Sequence, residues 1–245
     1  MTRVLIWDLP TRLFHVLLSA GFIAAAVIAL VLGEGSPLFP YHSIIGLTIG
    51  LMVVLCVVWG VVGTRYARFG TFVFGPGAVI AYMKGVFSRD GSRHLGHHPG
   101  SAYAIFAMLG LVLAMSVTGI MRGRDNESVK EIHAILAFVT VGVVVAHVLG
   151  VALHTIRRRE NIIASMIHGK KDAEAADGIT SAGPIVAIVF LIIAVAWAFG
   201  LVRNSDRATQ TNTPPLIGTT LHLGESENEG GKGTGGLGGG RPDDD

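Results

Sequence analysis

The chain has 245 residues, of which 51% are hydrophobic and only 15% charged, with a formal net charge of +2 and a mean hydropathy of +0.58. A soluble domain of this length needs far more charge to cover its surface, so a soluble globular protein is excluded. No nucleic-acid module, P-loop or dinucleotide fingerprint occurs, and so small a net charge gives no reason to expect a nucleic-acid partner.

The apolar residues fall into five blocks in chain order: Leu13–Leu32, Ser43–Val62, Ser101–Met121, Ile132–Ile156 and Pro184–Val202. Each approaches the roughly 20 residues that a helix needs to cross a bilayer, and none contains Asp, Glu, Lys or Arg. The expected fold class is therefore an all-α membrane protein. The first block is too long for a signal-peptide core and reads as a retained first helix. Cys56, the single cysteine, lies inside the second block; it cannot form an intrachain disulfide, and the absence of C-x-x-C-H excludes covalent c-type haem.

Between the second and third blocks, residues 63–100 form a loop entered by "WGVVGTRYARF" and left by "HLGHHPG". Its middle, "GPGAVIAYMKGVF", reads as a short amphipathic helix on the membrane surface. After the fourth block comes a polar stretch over residues 157–183, expected to leave the fifth helix loosely packed. Residues 203–245 end in "GESENEGGKGTGGLGGGRPDDD", a Gly-rich composition expected to be disordered.

Basic residues set the orientation. With the N-terminus inside, the inner segments carry Arg3, Arg12, Arg65, Arg68, Lys84, Arg89, Arg93, Arg157, Arg158, Arg159, Lys170 and Lys171, against Arg122, Arg124, Lys130, Arg203, Arg207, Lys232 and Arg241 outside. The excess predicts a cytoplasmic N-terminus and a C-terminus on the outer, periplasmic side.

The histidines carry the chemistry. His133 and His147 lie on the fourth span 14 residues apart, about 40° short of four full turns, so they share one face with ~21 Å between them along the axis. His42 precedes the second span at the level of His133, and His15 lies a few residues into the first span at the level of His147. These make an outer pair, His42 with His133, and an inner pair, His15 with His147. Two axial histidines at each of two levels is the arrangement that holds b-type haem between helices, the iron offsetting the cost of placing imidazole in hydrocarbon. Thr140 falls midway on the same stripe, and His154 continues it. Gly46 and Gly50, one and two turns after His42, are expected to leave a groove for a porphyrin face. A zinc site is the competing metal reading, but it needs three or four donors converging at one level. Taken singly, a histidine at a span end is more often an interfacial residue; the matched depths of the pairs argue otherwise. His94, His97, His98, His168 and His222 read as loop or surface residues, and His154 stands between an interfacial and an auxiliary role.

In "WDLPTRLFH" (7–15), "WGVVGTRYARF" (59–69), "GHHPG" (96–100), "EIHAILA" (131–137), "HVLGV" (147–151) and "RRENIIASMIHGKK" (158–171) the chain resembles the bacterial cytochrome b561 and Ni,Fe-hydrogenase cytochrome b subunit family. The resemblance covers about residues 5–172. It implies a four-helix transmembrane bundle holding two non-covalent, bis-His haems b, with iron ligands His15, His42, His133 and His147. It also implies a respiratory-chain role in the bacterial inner membrane, passing electrons between the quinone pool and a periplasmic or membrane redox protein. Some members oxidise superoxide at the periplasmic face and reduce quinone; Arg122, Arg124 and Lys130 would favour that anion's approach, diluted by Asp125, Glu127 and Glu131. A haem-free structural or transport bundle is the reading from a different class. Arg12, Arg65 and Arg68 are candidate propionate partners, although they are also what orientation requires. The expected organisation is a di-haem domain over 1–172, a linker and fifth helix over 173–202, and a tail over 203–245. The fifth helix lacks His, Met and Cys, and reads as an extra anchor that the haem domain does not need.

Overall fold

The computed structural model describes residues 2–88, 95–122, 126–206, 211–215 and 221–222. Arg89, Arg93, His94, Arg124, Asp125, Arg207 and the Gly-rich end of the tail lie outside the described residues. The five expected spans are helices: α1 (Leu9–Val27, continued as a π-helix over Ile28–Leu32), α2 (Phe39–Val62), α4 (Pro99–Arg122), α5 (Glu127–Arg158) and α7 (Pro184–Arg203). The surface helix expected between the second and third spans is α3 (Pro76–Ser88), and a short α6 (Ile162–His168) follows α5.

Local sequence explains where these helices start and stop. Asp8 caps α1, its Oδ1 accepting from Thr11 N at 2.8 Å, and Pro10 sits in the first turn, where no N–H is needed. In "GHHPG", Pro99 opens α4 and the His98 carbonyl takes the Ala102 N–H. Asn126 and Asn161 cap α5 and α6 through their side chains. Arg159, in the left-handed region at φ 54°, ends α5 sharply. Gly169 ends α6 at φ 81°, where an added Cβ would lie 2.8 Å from the Trp7 carbonyl.

α1 with α2 and α4 with α5 form two helical hairpins, joined by α2 against α4; α7 packs on α1 and α2. The α2–α4 contact depends on Gly50, whose Cβ, if present, would lie 2.5 Å from Ser116 Oγ. Gly50 therefore admits a helix rather than a porphyrin face, whereas Gly46 has open space beside it. Rows of exposed Val, Ile and Leu on all five spans (Ile156 and Ile185 among them) give the surface that lipid covers.

The polar stretch before α7 is ordered, contrary to the looseness expected of it. Strand β1 (Thr2–Leu5) pairs antiparallel with β2 (Lys170–Ala173), Thr2 opposite Ala173 and Leu5 opposite Lys170, so the expected boundary at 172 falls within a strand. Leu9 N donates to Ala182 O and Ile179 N to Leu5 O, both at 2.8 Å, and Tyr66 Oη donates to Asp177 O at 2.9 Å. α7 is held in turn: Phe190 packs against Phe14 and Trp59, with ring centroids 5.2 and 6.1 Å away. Beyond α7, β3 (Ser205–Asp206), β4 (Thr211–Asn212) and β5 (Leu221–His222) form a small antiparallel sheet. Asn212 Nδ2 donates to the Leu201 carbonyl at 2.5 Å, meeting an acceptor that the helix end leaves over, so order extends past residue 203.

Candidate functional site

Two of the sequence's motifs hold one another. The Asp8 carboxylate, almost wholly buried, accepts from Trp59 Nε1 at 3.1 Å and from Thr64 Oγ1, besides capping α1. Trp7, next to it, is buried against Ile6 and Tyr66 and directs its indole N–H at Ser165 Oγ, 3.3 Å away. The start of α1, the end of α2 and the segment after α5 are thus fixed together, which sets the depth of His15 on α1 relative to His147 on α5.

At the opposite end of the bundle, His42 and His133 face each other. Their ring centroids are 6.3 Å apart and their planes 82° apart. Each commits Nδ1 to a neighbouring helix. His42 Nδ1 lies 3.0 Å from the Ala25 carbonyl, near where α1 loosens into its π-helical end and the regular hydrogen-bond ladder is interrupted. His133 Nδ1 lies 2.9 Å from Thr118 Oγ1, and that hydroxyl is 3.0 Å from the Ala114 carbonyl and 3.1 Å from the Met115 carbonyl. A hydroxyl that gives its one proton to a backbone carbonyl must accept from the imidazole. Both rings then carry their proton on Nδ1, which makes Nε2 the metal-binding nitrogen of each. Two metal–imidazole bonds of about 2.0–2.1 Å, plus the distance from ring centre to nitrogen at each end, span roughly 6 Å in all. The observed separation matches that length. Phe39 stacks on His42 at 5.6 Å, and Gly119 passes beside His133.

The inner pair is arranged differently. His15 is exposed on α1 and His147 half-buried on α5; they lie within electrostatic reach of each other and of His97. His97 is not the free loop residue its sequence position suggests. Its ring stacks on Phe72 at 4.3 Å and meets the Trp7 edge at 4.8 Å, and its Nδ1 is buried with no hydrogen-bond partner. Burial, with the Lys171 charge and the His147 and His15 rings adding to it, pushes the His97 pKa down to about 3, so the ring is neutral. Arg12 donates to the Ile167 carbonyl and keeps a buried Nε with no partner, whereas Arg65 lies over the Tyr66 ring at 5.3 Å. The orphaned N–H of Arg12 Nε beside this end suits the carboxylates that a b-type haem carries. Thr140, fully buried between the two levels, donates to the Leu136 carbonyl at 2.6 Å.

A further cluster was not legible in the sequence. His98 and His154, read as a loop residue and an interfacial one, are both buried, with ring centroids 4.1 Å apart. Tyr82 Oη lies 2.7 Å from His154 Nδ1, and Glu160 Oε2 lies 3.8 Å from His154 Nε2. Glu160 Oε1 pairs with Lys171 Nζ at 2.9 Å. The His154 contact, with Lys171 and His98, holds the Glu160 carboxyl down at about 2 against the opposing effect of burial. The signals were the histidine beside the helix-opening Pro99 and the single acid in "RRENIIASMIHGKK". These two rings are too close to admit an iron between them as they stand; their donors converge rather than oppose.

Residues 6–169, two thirds of the chain, match the family model for prokaryotic cytochrome b561. The chain belongs to that family. As a cytochrome b561 it is a multi-pass membrane protein of b-type haem and electron transfer, and the four histidines expected as ligands all lie inside the matched region. No curated protein and no solved structure matches it.

Proposed function

We propose that this cytochrome b561 holds two haems b and passes electrons across the bacterial inner membrane between the quinone pool and a redox protein of the respiratory chain. His42 and His133 ligate the outer haem, His15 and His147 the inner one. The N-terminal end faces the cytoplasm, as the excess of Lys and Arg on that side supports. The observation that carries the reading is the His42–His133 pair: rings 6.3 Å apart, each with its Nδ1 proton committed to a neighbouring helix.

Haem supplies one-electron chemistry at each level. The chain's own contribution is orientation and exclusion of water. The Ala25 carbonyl and the Thr118 hydroxyl fix the ring orientation and tautomer of the outer ligands and raise their basicity. Apolar side chains on α2, α4 and α5 keep the surroundings dry, and the buried Thr140 hydroxyl satisfies itself within α5. At the inner end Arg12 Nε offers a hydrogen bond to a propionate. Lys130, one of the cations that would guide superoxide, is held 3.2 Å from Glu127, which offsets its charge toward an approaching anion.

The test is substitution of one ligand at each level. His133→Ala removes the outer haem and spares the inner one, and His147→Ala does the reverse, read in reduced-minus-oxidised spectra of the purified protein. Loss of both haem signals from a single substitution in correctly folded protein contradicts the two-site arrangement.

A further inference from the structure

The His98–His154–Glu160 cluster lies outside the proposed haem ligands and has donors of another kind. Each residue presents one ligand atom, and the three atoms lie within 4.8 Å of one another. His154 Nε2 and Glu160 Oε2 are 3.8 Å apart, too long for a hydrogen bond and near the roughly 3.4 Å edge of a tetrahedron built on metal bonds of about 2.0–2.1 Å. The His154 side chain is 6% exposed, yet its buried Nε2 has no hydrogen-bond partner. A buried polar nitrogen left in that state is costly unless something binds it.

We propose that His98, His154 and Glu160 form a site for one divalent transition-metal ion of the zinc class, separate from the haems and independent of the electron-transfer reading. Two imidazoles and a carboxylate are a donor set that zinc accepts, with a fourth position left for water. Tyr82 Oη lies 2.7 Å from His154 Nδ1; with the ion bound, Nδ1 keeps the ring proton and gives it to the Tyr82 oxygen, and the Nε2 lone pair turns to the ion in place of the contact with Glu160. Glu160 binds through Oε2 while Oε1 stays on Lys171, and its side chain, 21% exposed, gives the ion a way in. The left-handed Arg159 is what makes the site possible, because it folds Glu160 back beside His154 only six positions earlier. The bound ion ties the start of α4 to the end of α5. Lys171 is the competing cation, and its presence keeps the affinity below that of a structural zinc site.

Purified holoprotein, stripped with a chelator and titrated with Zn²⁺ against a chromophoric competitor, is expected to bind one Zn²⁺ per chain. Glu160→Gln and His154→Ala lower that affinity at least about tenfold, at an unchanged haem-to-protein ratio in the same samples. Lys171→Met, which keeps all three donors, raises it about tenfold by removing the competing charge. Should His154→Ala fail to fold, the opposite responses of Glu160→Gln and Lys171→Met decide the matter. Absence of stoichiometric Zn²⁺ binding, or affinity indifferent to both Glu160→Gln and Lys171→Met, overturns the site.

Discussion

Thr118 on α4 sets the tautomer of His133 on α5: its oxygen lies 2.9 Å from His133 Nδ1, and its proton goes to the carbonyl of Ala114 or Met115 one turn back on its own helix. Thr118→Val keeps the shape and removes the acceptor. The expected outcome is outer-haem affinity weakened about 10- to 100-fold, with the inner haem retained. Haem retention during titration with an apo-protein acceptor measures it, and equal retention by variant and wild type would show that the hydroxyl does not support the ligand.

Asp8 serves as a cap for α1 and as the acceptor for Trp59 and Thr64. Asp8→Ala leaves those donors buried and unpaired and should destabilise the protein by about 2–4 kcal/mol, with Asp8→Asn milder because the cap survives. Thermal unfolding in one detergent gives the order. If Asp8→Ala unfolds at the wild-type temperature, the clamp between the first two helices is not what fixes the N-terminal end.

Gly46 and Gly50 separate two roles on one helix. Gly50→Ala forces Ser116 aside and is expected to cost about 1–3 kcal/mol of stability. At Gly46 an added Cβ meets no protein atom within 4 Å, so Gly46→Leu should leave the fold intact while lowering outer-haem occupancy. A Gly46→Leu protein with full haem content would mean that the groove beside His42 does not receive the porphyrin.

Much of this was legible because it is local or periodic. Five apolar blocks gave five helices, and matched depth alone put His42 beside His133, whose rings lie 6.3 Å apart. What escaped depends on long-range pairing. β1 and β2 meet across the whole of the matched region, which they flank, and nothing in "TRVL" alone names "KKDA" as its partner. Glu160 reaches His154 through a non-glycine residue in the left-handed region, a conformation that sequence does not advertise. Gly50 reads as a cofactor position in the sequence because a small residue on a span serves a helix contact as well as a ligand face.

The fifth helix shows the same limit. Its composition, free of ligands, predicts an anchor unneeded for haem binding, yet Phe190 packs against Phe14 and Trp59 in the core of the first two helices. A chain ending after Lys171 is therefore expected to keep both haems but unfold several degrees lower, at roughly 2–4 °C per kcal/mol lost. Loss of a haem on truncation would show that α7 closes the bundle.

The most direct test of the central claim is the haem content of the purified, detergent-solubilised protein, taken as pyridine haemochrome per chain after acid-acetone extraction. Two extractable haems b per chain and a colourless denatured polypeptide are expected. One haem per chain, or none, would contradict it.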